Sequence, residues 1–160
     1  MRIAVGCDHA GFPLKGGIIA HLSEMGHSVD DVGTNSTDPV DYPDFSRAVA
    51  ESVLSGRSTR GIIICGSGVG ASVAATKVPG IRASMCHDTF SARQGVEDDD
   101  MNVLCLGARV IGPALAAELV SAFVGAKFSG AERHVRRLAK VNAIEEDARN
   151  GVFDDARRVR

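Results

Sequence analysis

Cys65 closes an unbroken aliphatic run and opens a turn in which Gly66, Gly68 and Gly70 stand two residues apart, "IIICGSGVG". Glycines at a strand-to-helix turn let backbone N–H groups face an anion, and the dipole of the following helix adds to the field. A thiol in such a field is drawn toward the thiolate, which either attacks carbon or removes a proton from it. Ser67 adds a hydroxyl between the glycines. The loop fits neither common nucleotide fingerprint: a dinucleotide site needs GxGxxG after the first strand, and a P-loop needs GxxxxGK[ST]. Near the start, "GCDHAG" sets Asp8 beside His9, an acid or base next to an imidazole suited to phosphate. Adjacent residues with no third ligand do not make a metal chelate. Arg133 and Arg137 lie four apart, on one helical face, where planar guanidinium groups suit a phosphate. Arg109 follows an apolar run in "GARVIG".

The elements that must position these residues alternate. Short β-branched runs at 2–7, 27–32, 61–65, 81–86 and 103–106 read as strands, and segments of helical period at 13–25, 44–55, 69–77, 88–97 and 113–124 read as helices. This pattern predicts an α/β, Rossmann-like three-layer sandwich with a five-stranded parallel sheet in the order 2-1-3-4-5. Pro13 and Pro113 suit first helical turns, Asp88 an N-cap, and Gly26 and Gly125 helix ends. Ligands of such sheets bind beyond the carboxyl ends of the strands where the winding reverses, here between strands one and three. The Asp8 and Cys65 loops therefore share one crevice. A further helix in "ERHVRRLAKVNAIEEDARNG" has no strand to follow and is expected to pack on a second subunit. Residues 1–150 read as a single domain and 151–160 as a flexible tail.

The 160 residues suffice for one core, and a net charge of -2 gives no global attraction to nucleic acid. No apolar run reaches the ~20 residues of a membrane span and no leader pattern opens the chain, so a cytoplasmic protein without a membrane partner is expected. The four cysteines form no CxxC pair, which fits free thiols rather than a zinc site or a redox dithiol.

Together, "GCDHAGFPLK", "DYPDF", "CGSGVGASVAATKVPGIRA", "NVLCLGARVIG" and "ERHVRR" resemble the ribose-5-phosphate isomerase B and galactose-6-phosphate isomerase (LacAB) family of sugar-phosphate isomerases. The resemblance spans roughly residues 1 to 150. It implies aldose–ketose isomerisation without metal or cofactor, through a cis-enediolate, in a homodimer with sites at the subunit interface, alone or paired into tetramers. It makes Cys65 the base, Ser67 a helper in proton transfer at the sugar oxygens, and the amides from Gly66 to Gly70 the enediolate's anion hole. Asp8 would contact sugar hydroxyls. His9, Arg109, Arg133, Arg137 and, less directly, His134 would bind phosphate, some of them from the partner.

One segment departs from the pattern. Relatives carry a His-Asn pair before the "NVL" strand, the histidine opening the sugar ring; here "GVEDDDMNVL" puts Asp98 and Asp99 there. A carboxylate of ordinary pKa is ionised at pH 7 and has no proton to give a ring oxygen. Either another group such as His87, or a water, opens a pentose ring, or the substrate is a four-carbon phosphate that cannot close a furanose. A sugar-phosphate-binding protein without catalysis is the reading from another class, and the retained Cys65, Ser67 and glycine loop argue against it.

Overall fold

Five short strands pair side by side as one parallel sheet: β1 (Arg2–Cys7), β2 (Ser28–Asp31), β3 (Arg60–Cys65), β4 (Ala83–Met85) and β5 (Val103–Gly107). Helices α1 (Phe12–Glu24), α2 (Tyr42–Leu54), α3 (Val69–Ala75), α4 (Thr89–Asp99) and α5 (Pro113–Gly125) follow the strands in turn, and α6 (Glu132–Arg149) is appended. The computed structural model describes residues 1–153, so most of the expected tail, from residue 154 on, lies outside the described residues. Among the described residues no helix is long and apolar enough to cross a membrane.

The three-layer α/β architecture is the expected one, but the strand order is β2-β1-β3-β5-β4 rather than 2-1-3-4-5. Burial explains the exchange. All five residues of β5 are buried, whereas β4 has three residues with Ser84 and Met85 exposed. A continuous apolar run is stable with both faces covered, and a short, half-polar strand suits an edge. β5 therefore lies directly beside β3, with Cys65 opposite Gly107 in register.

Alternation along β3 divides the core. Ile62 and Ile64 pack with Leu14, Ile18, Leu119 and Phe123 of α1 and α5, while Ile63 and Cys65 pack with Val49 and Ala50 of α2 and Ala71 and Ala75 of α3. Cys65 thus points to the α2/α3 side. Pro13 and Pro113 occupy first turns, and the Asp88 carboxylate accepts the Ser91 N–H at 2.7 Å as an N-cap. Gly26 ends α1 in the left-handed region at φ +77°. Gly125 is the last residue of α5, as expected, though without a positive φ, and the Arg60 guanidinium donates to the Phe123 and Ala126 carbonyls at this helix end.

Candidate active site

The turn after β3 is built around its thiol. Gly68 adopts φ +82°, a conformation that side chains resist, and its N–H donates to Cys65 Sγ at 3.1 Å. Cys65 is 4% exposed, so that amide is part of the thiol's immediate shell. The Val69 N–H donates to Ser67 Oγ at 3.3 Å. The amides of Gly66, Ser67 and Gly70 donate to no acceptor among the described residues, which leaves them for a ligand. Gly70 is glycine because a Cβ there would meet the Tyr42 ring at 2.8 Å. The ring of α2's first residue therefore lies on the anion loop.

The loop after β1 closes against this turn. The Asp8 N–H donates to the Ile64 carbonyl at 3.2 Å, and a Cβ on Gly11 would stand 2.1 Å from the same oxygen, so only glycine permits the approach. Asp8 Oδ1 accepts the Gly11 N–H at 2.9 Å at the start of α1. Oδ2 has no partner among the described residues and is reached by solvent. His9 Nδ1 is 3.2 Å from both the N–H and the carbonyl of Val40. When Nδ1 of a neutral ring accepts the Val40 N–H, Nε2 carries the proton and offers it to a ligand, as it also does in the charged ring, whose Nδ1–H donates to the carbonyl.

Arg109 completes this side. Its backbone N–H donates to the Gly66 carbonyl at 3.0 Å, and a Cβ on Gly66 would lie 3.6 Å from both Arg109 Nε and Ala10 Cβ. His9 and Arg109 line a common cavity of about 460 Å³ with Ala10, Pro13 and Pro113. Two N–H donors over a small cavity make an anion site. The order 2-1-3-4-5 would have put Arg109 two strands from Cys65; the observed neighbourhood of β3 and β5 brings it beside Gly66. His87, past β4, meets the end of β5: its Nε2 accepts the Gly107 N–H at 3.0 Å, which leaves the proton of the neutral ring on Nδ1.

Other expected site residues are not gathered here. Asp98 lies in the last turn of α4, where Oδ2 accepts from Gln94 Nε2 at 2.7 Å and Oδ1 is 3.3 Å from His134 Nδ1. His134 is buried on α6 and also meets Ser129 Oγ at 2.6 Å. Asp99 borders a different cavity of about 820 Å³, between the β4 edge, α4 and α6, with Met85, Val141, Ile144 and Glu145 in its wall. Arg133 and Arg137 are exposed on α6 and line neither cavity. The paired loops and the paired arginines thus do not meet within one chain.

The remaining thiols are sequestered. Burial pushes Cys7 up to about 11 and raises Cys86 and Cys105 as well, so these three stay protonated near neutral pH. No group of three His, Cys, Asp or Glu side chains that could hold a metal occurs among the described residues. Two site features escaped the sequence reading, the Tyr42 ring and the Val40 peptide that holds His9. Tyr42 carried a signal, being the single tyrosine in a chain with few aromatics; a backbone contact such as Val40 carries none.

A parallel α/β sandwich with a thiol turn and an anion pocket at its switch point defines a class, the Rossmann-like proteins that bind small anionic ligands beyond the strand ends. Within that class the chain belongs to the family described as Ribose/Galactose Isomerase, whose sequence model matches residues 3–141. Ribose-5-phosphate isomerase B of Escherichia coli (strain K12) is 47% identical over 145 residues, 91% of this chain and 97% of that protein. D-erythrulose-4-phosphate isomerase of Pectobacterium atrosepticum is 42% identical over 132 residues, 81% of this chain and 86% of that protein. Among solved structures, ribose-5-phosphate isomerase B of Clostridium thermocellum superposes with a TM-score of 0.89 at 47% identity, covering 92% of this chain and 99% of that one.

Proposed function

We propose that this sugar-phosphate isomerase interconverts ribose 5-phosphate and ribulose 5-phosphate through a cis-enediolate, with Cys65 as base. The observation that carries the reading is the Gly68 N–H on Cys65 Sγ at 3.1 Å, in a turn with three free amides beside the His9–Arg109 cavity. The thiolate removes the C2 proton of the open aldose and returns it to C1, while Ser67 passes the hydroxyl proton from O2 to O1. A carbon acid next to a carbonyl is too weak for an unaided side chain, so the amides of Gly66, Ser67 and Gly70 hold the developing oxyanion; losing one such donor typically costs about 3 kcal/mol. Asp8 Oδ2 orients the sugar hydroxyls. His9, Arg109 and a partner's arginines hold the phosphate, giving binding energy remote from the reacting carbons.

The second subunit enters because Arg133 and Arg137 lie away from the crevice of their own chain. Helix α6 also leaves Val135, Val141 and Ile144 exposed, an apolar face suited to a second copy. We infer a homodimer in which residues 1–150 act as one domain and α6 lends its arginines across the interface.

A second reading rests on Asp98. Both its oxygens are occupied within the chain, so it is not poised to open a ring, and the Pectobacterium relative is named for a four-carbon phosphate that has no ring to open. On the ribose reading, His87 Nδ1–H supplies the ring proton. The test is solvent-deuterium incorporation at C1 and C2 across ribose 5-phosphate and erythrulose 4-phosphate. Exchange by the parent and none by Cys65→Ala supports the base assignment; normal exchange by the variant removes it. Loss of ribose 5-phosphate turnover in His87→Ala, with erythrulose 4-phosphate turnover kept, supports ring opening by His87. A parent that prefers erythrulose 4-phosphate replaces the ribose reading with the tetrulose one.

A further inference from the structure

Asp98 stands where related chains carry a ring-opening histidine, yet its carboxylate faces α6. Oδ2 takes the Gln94 amide at 2.7 Å and Oδ1 lies 3.3 Å from His134 Nδ1, on a ring that is 3% exposed. The other ring nitrogen is informative. Arg133 Nε is 2.9 Å from His134 Nε2. A guanidinium N–H only donates, so Nε2 is the acceptor, and the proton of the neutral ring sits on Nδ1 between Ser129 Oγ at 2.6 Å and Asp98 Oδ1. Ser129 is itself tied to α4, since its N–H donates to the Glu97 carbonyl at 2.9 Å. The arginine is therefore held by its Nε while both Nη groups find no protein partner among the described residues.

We propose that Asp98 and His134 are positioning residues for Arg133: the carboxylate, 3.3 Å from Nδ1, acts with Ser129 Oγ to favour the imidazole tautomer protonated there, the imidazole grips Nε, and the Nη fork is pre-set for the phosphate of the substrate in the partner's site. This rests on the reading of Arg133 as a phosphate ligand. A guanidinium so held loses less side-chain freedom when phosphate arrives, because part of its ordering is already done. The anchor belongs to α4 and the arginine to α6, so the pair also sets how α6 leaves its own body. The carboxylate that replaced a ring-opening group thereby serves binding in place of proton transfer.

The test compares Asp98→Ala, Asp98→Asn and Arg133→Ala in the full chain, using inorganic phosphate as competitive inhibitor and ribose 5-phosphate and erythrulose 4-phosphate as substrates. Asp98→Ala should weaken phosphate and raise KM about 2- to 12-fold, the range of one lost pre-ordering of a long side chain, with kcat kept. The factor should be the same for every substrate turned over. Asp98→Asn should restore most of the parent values, because its amide oxygen keeps the negative end of a dipole beside His134 Nδ1 and Gln94 can turn its own oxygen toward the new NH₂. A kcat loss confined to ribose 5-phosphate would overturn the proposal, since that pattern belongs to ring opening. Unchanged phosphate inhibition in Asp98→Ala with weakened inhibition in Arg133→Ala would also overturn it. Unchanged inhibition in Arg133→Ala would remove the underlying phosphate assignment together with it.

Discussion

Gly107 closes β5 directly beneath the catalytic turn, and a methyl group added there has nowhere to go. Its Cβ would lie 2.5 Å from the Ser67 carbonyl oxygen, 2.6 Å from the carbonyl carbon and 2.9 Å from Cα, all of them backbone atoms. No rotamer change relieves such a contact, so Gly107→Ala must push the Ser67 peptide away by at least about 0.5 Å, the tolerance within which a catalytic constellation has to be held. The displaced Ser67–Gly68 peptide carries the N–H that donates to Cys65 Sγ and lies between the free amides of Ser67 and Gly70. Since a misplacement of about 1 Å costs on the order of 100-fold, kcat should fall about 10- to 100-fold. KM, which on the proposed reading rests on His9 and the arginines, should change less. The overpacking should also lower stability by about 1–3 kcal/mol. Steady-state kinetics on the preferred sugar phosphate, with thermal unfolding in parallel, reads both effects. Gly125→Ala is the matched control, because nothing stands within 4 Å of its added Cβ. A Gly107→Ala enzyme with kcat within about twofold of the parent would refute the claim that loop geometry sets the rate, as would a loss carried wholly by KM.

Gly16 and Gly17 sit exposed inside α1 with no atom within 4 Å of an added Cβ, so replacing each with alanine should raise unfolding free energy by roughly 0.5–1 kcal/mol in a urea titration. The fully buried Cys7 links stability to alkaline pH. Below its unfolded value of 9.0 the thiol is protonated in both states and nothing is lost; from there to about 11 the unfolded chain releases the proton while the folded one keeps it. Stability should therefore fall by about 1.4 kcal/mol per pH unit over that window, and Cys7→Ala should remove this part of the slope in urea titrations from pH 8 to 11. Mixing inactive Cys65→Ala subunits with Arg133→Ala, Arg137→Ala subunits should restore activity, since one site of each heterodimer then has both an intact turn and intact arginines; activity no higher than that of the separate variants would argue against shared sites.

The layers of this fold were legible because their causes are local. A glycine at Gly26 can take φ +77°, Asp88 can cap through its own carboxylate, and "GIIIC" must be covered on both faces. The order of the last two strands was not legible in the same way. Chain order suggests that β4 should neighbour β3, but adjacency is decided by which strand gains more from burial, and that is a competition between two distant segments. The five buried residues of β5, against none in the three-residue β4, held the answer. What the exchange changes is chemical, because Arg109 rides on β5 and is carried to the crevice with it.

Site residues divide along the same line. Cys65, the glycines, Asp8 and His9 were readable because each loop holds its chemistry within a few consecutive residues and the switch point of the sheet joins the two loops. The Tyr42 ring, the Val40 peptide and the Gly107 contact under Ser67 depend on the packing of separate elements, for which spacing along the chain has no signature. Asp98 shows the difference most sharply. Its type alone says that a proton donor at pH 7 has been lost. Only its contacts, Gln94 on one oxygen and His134 on the other, say what was acquired, a carboxylate turned from the sugar toward the helix that carries the arginines. On the proposed reading, a family position changes its chemistry and remains tied to the substrate, because the new side chain holds a residue that binds it.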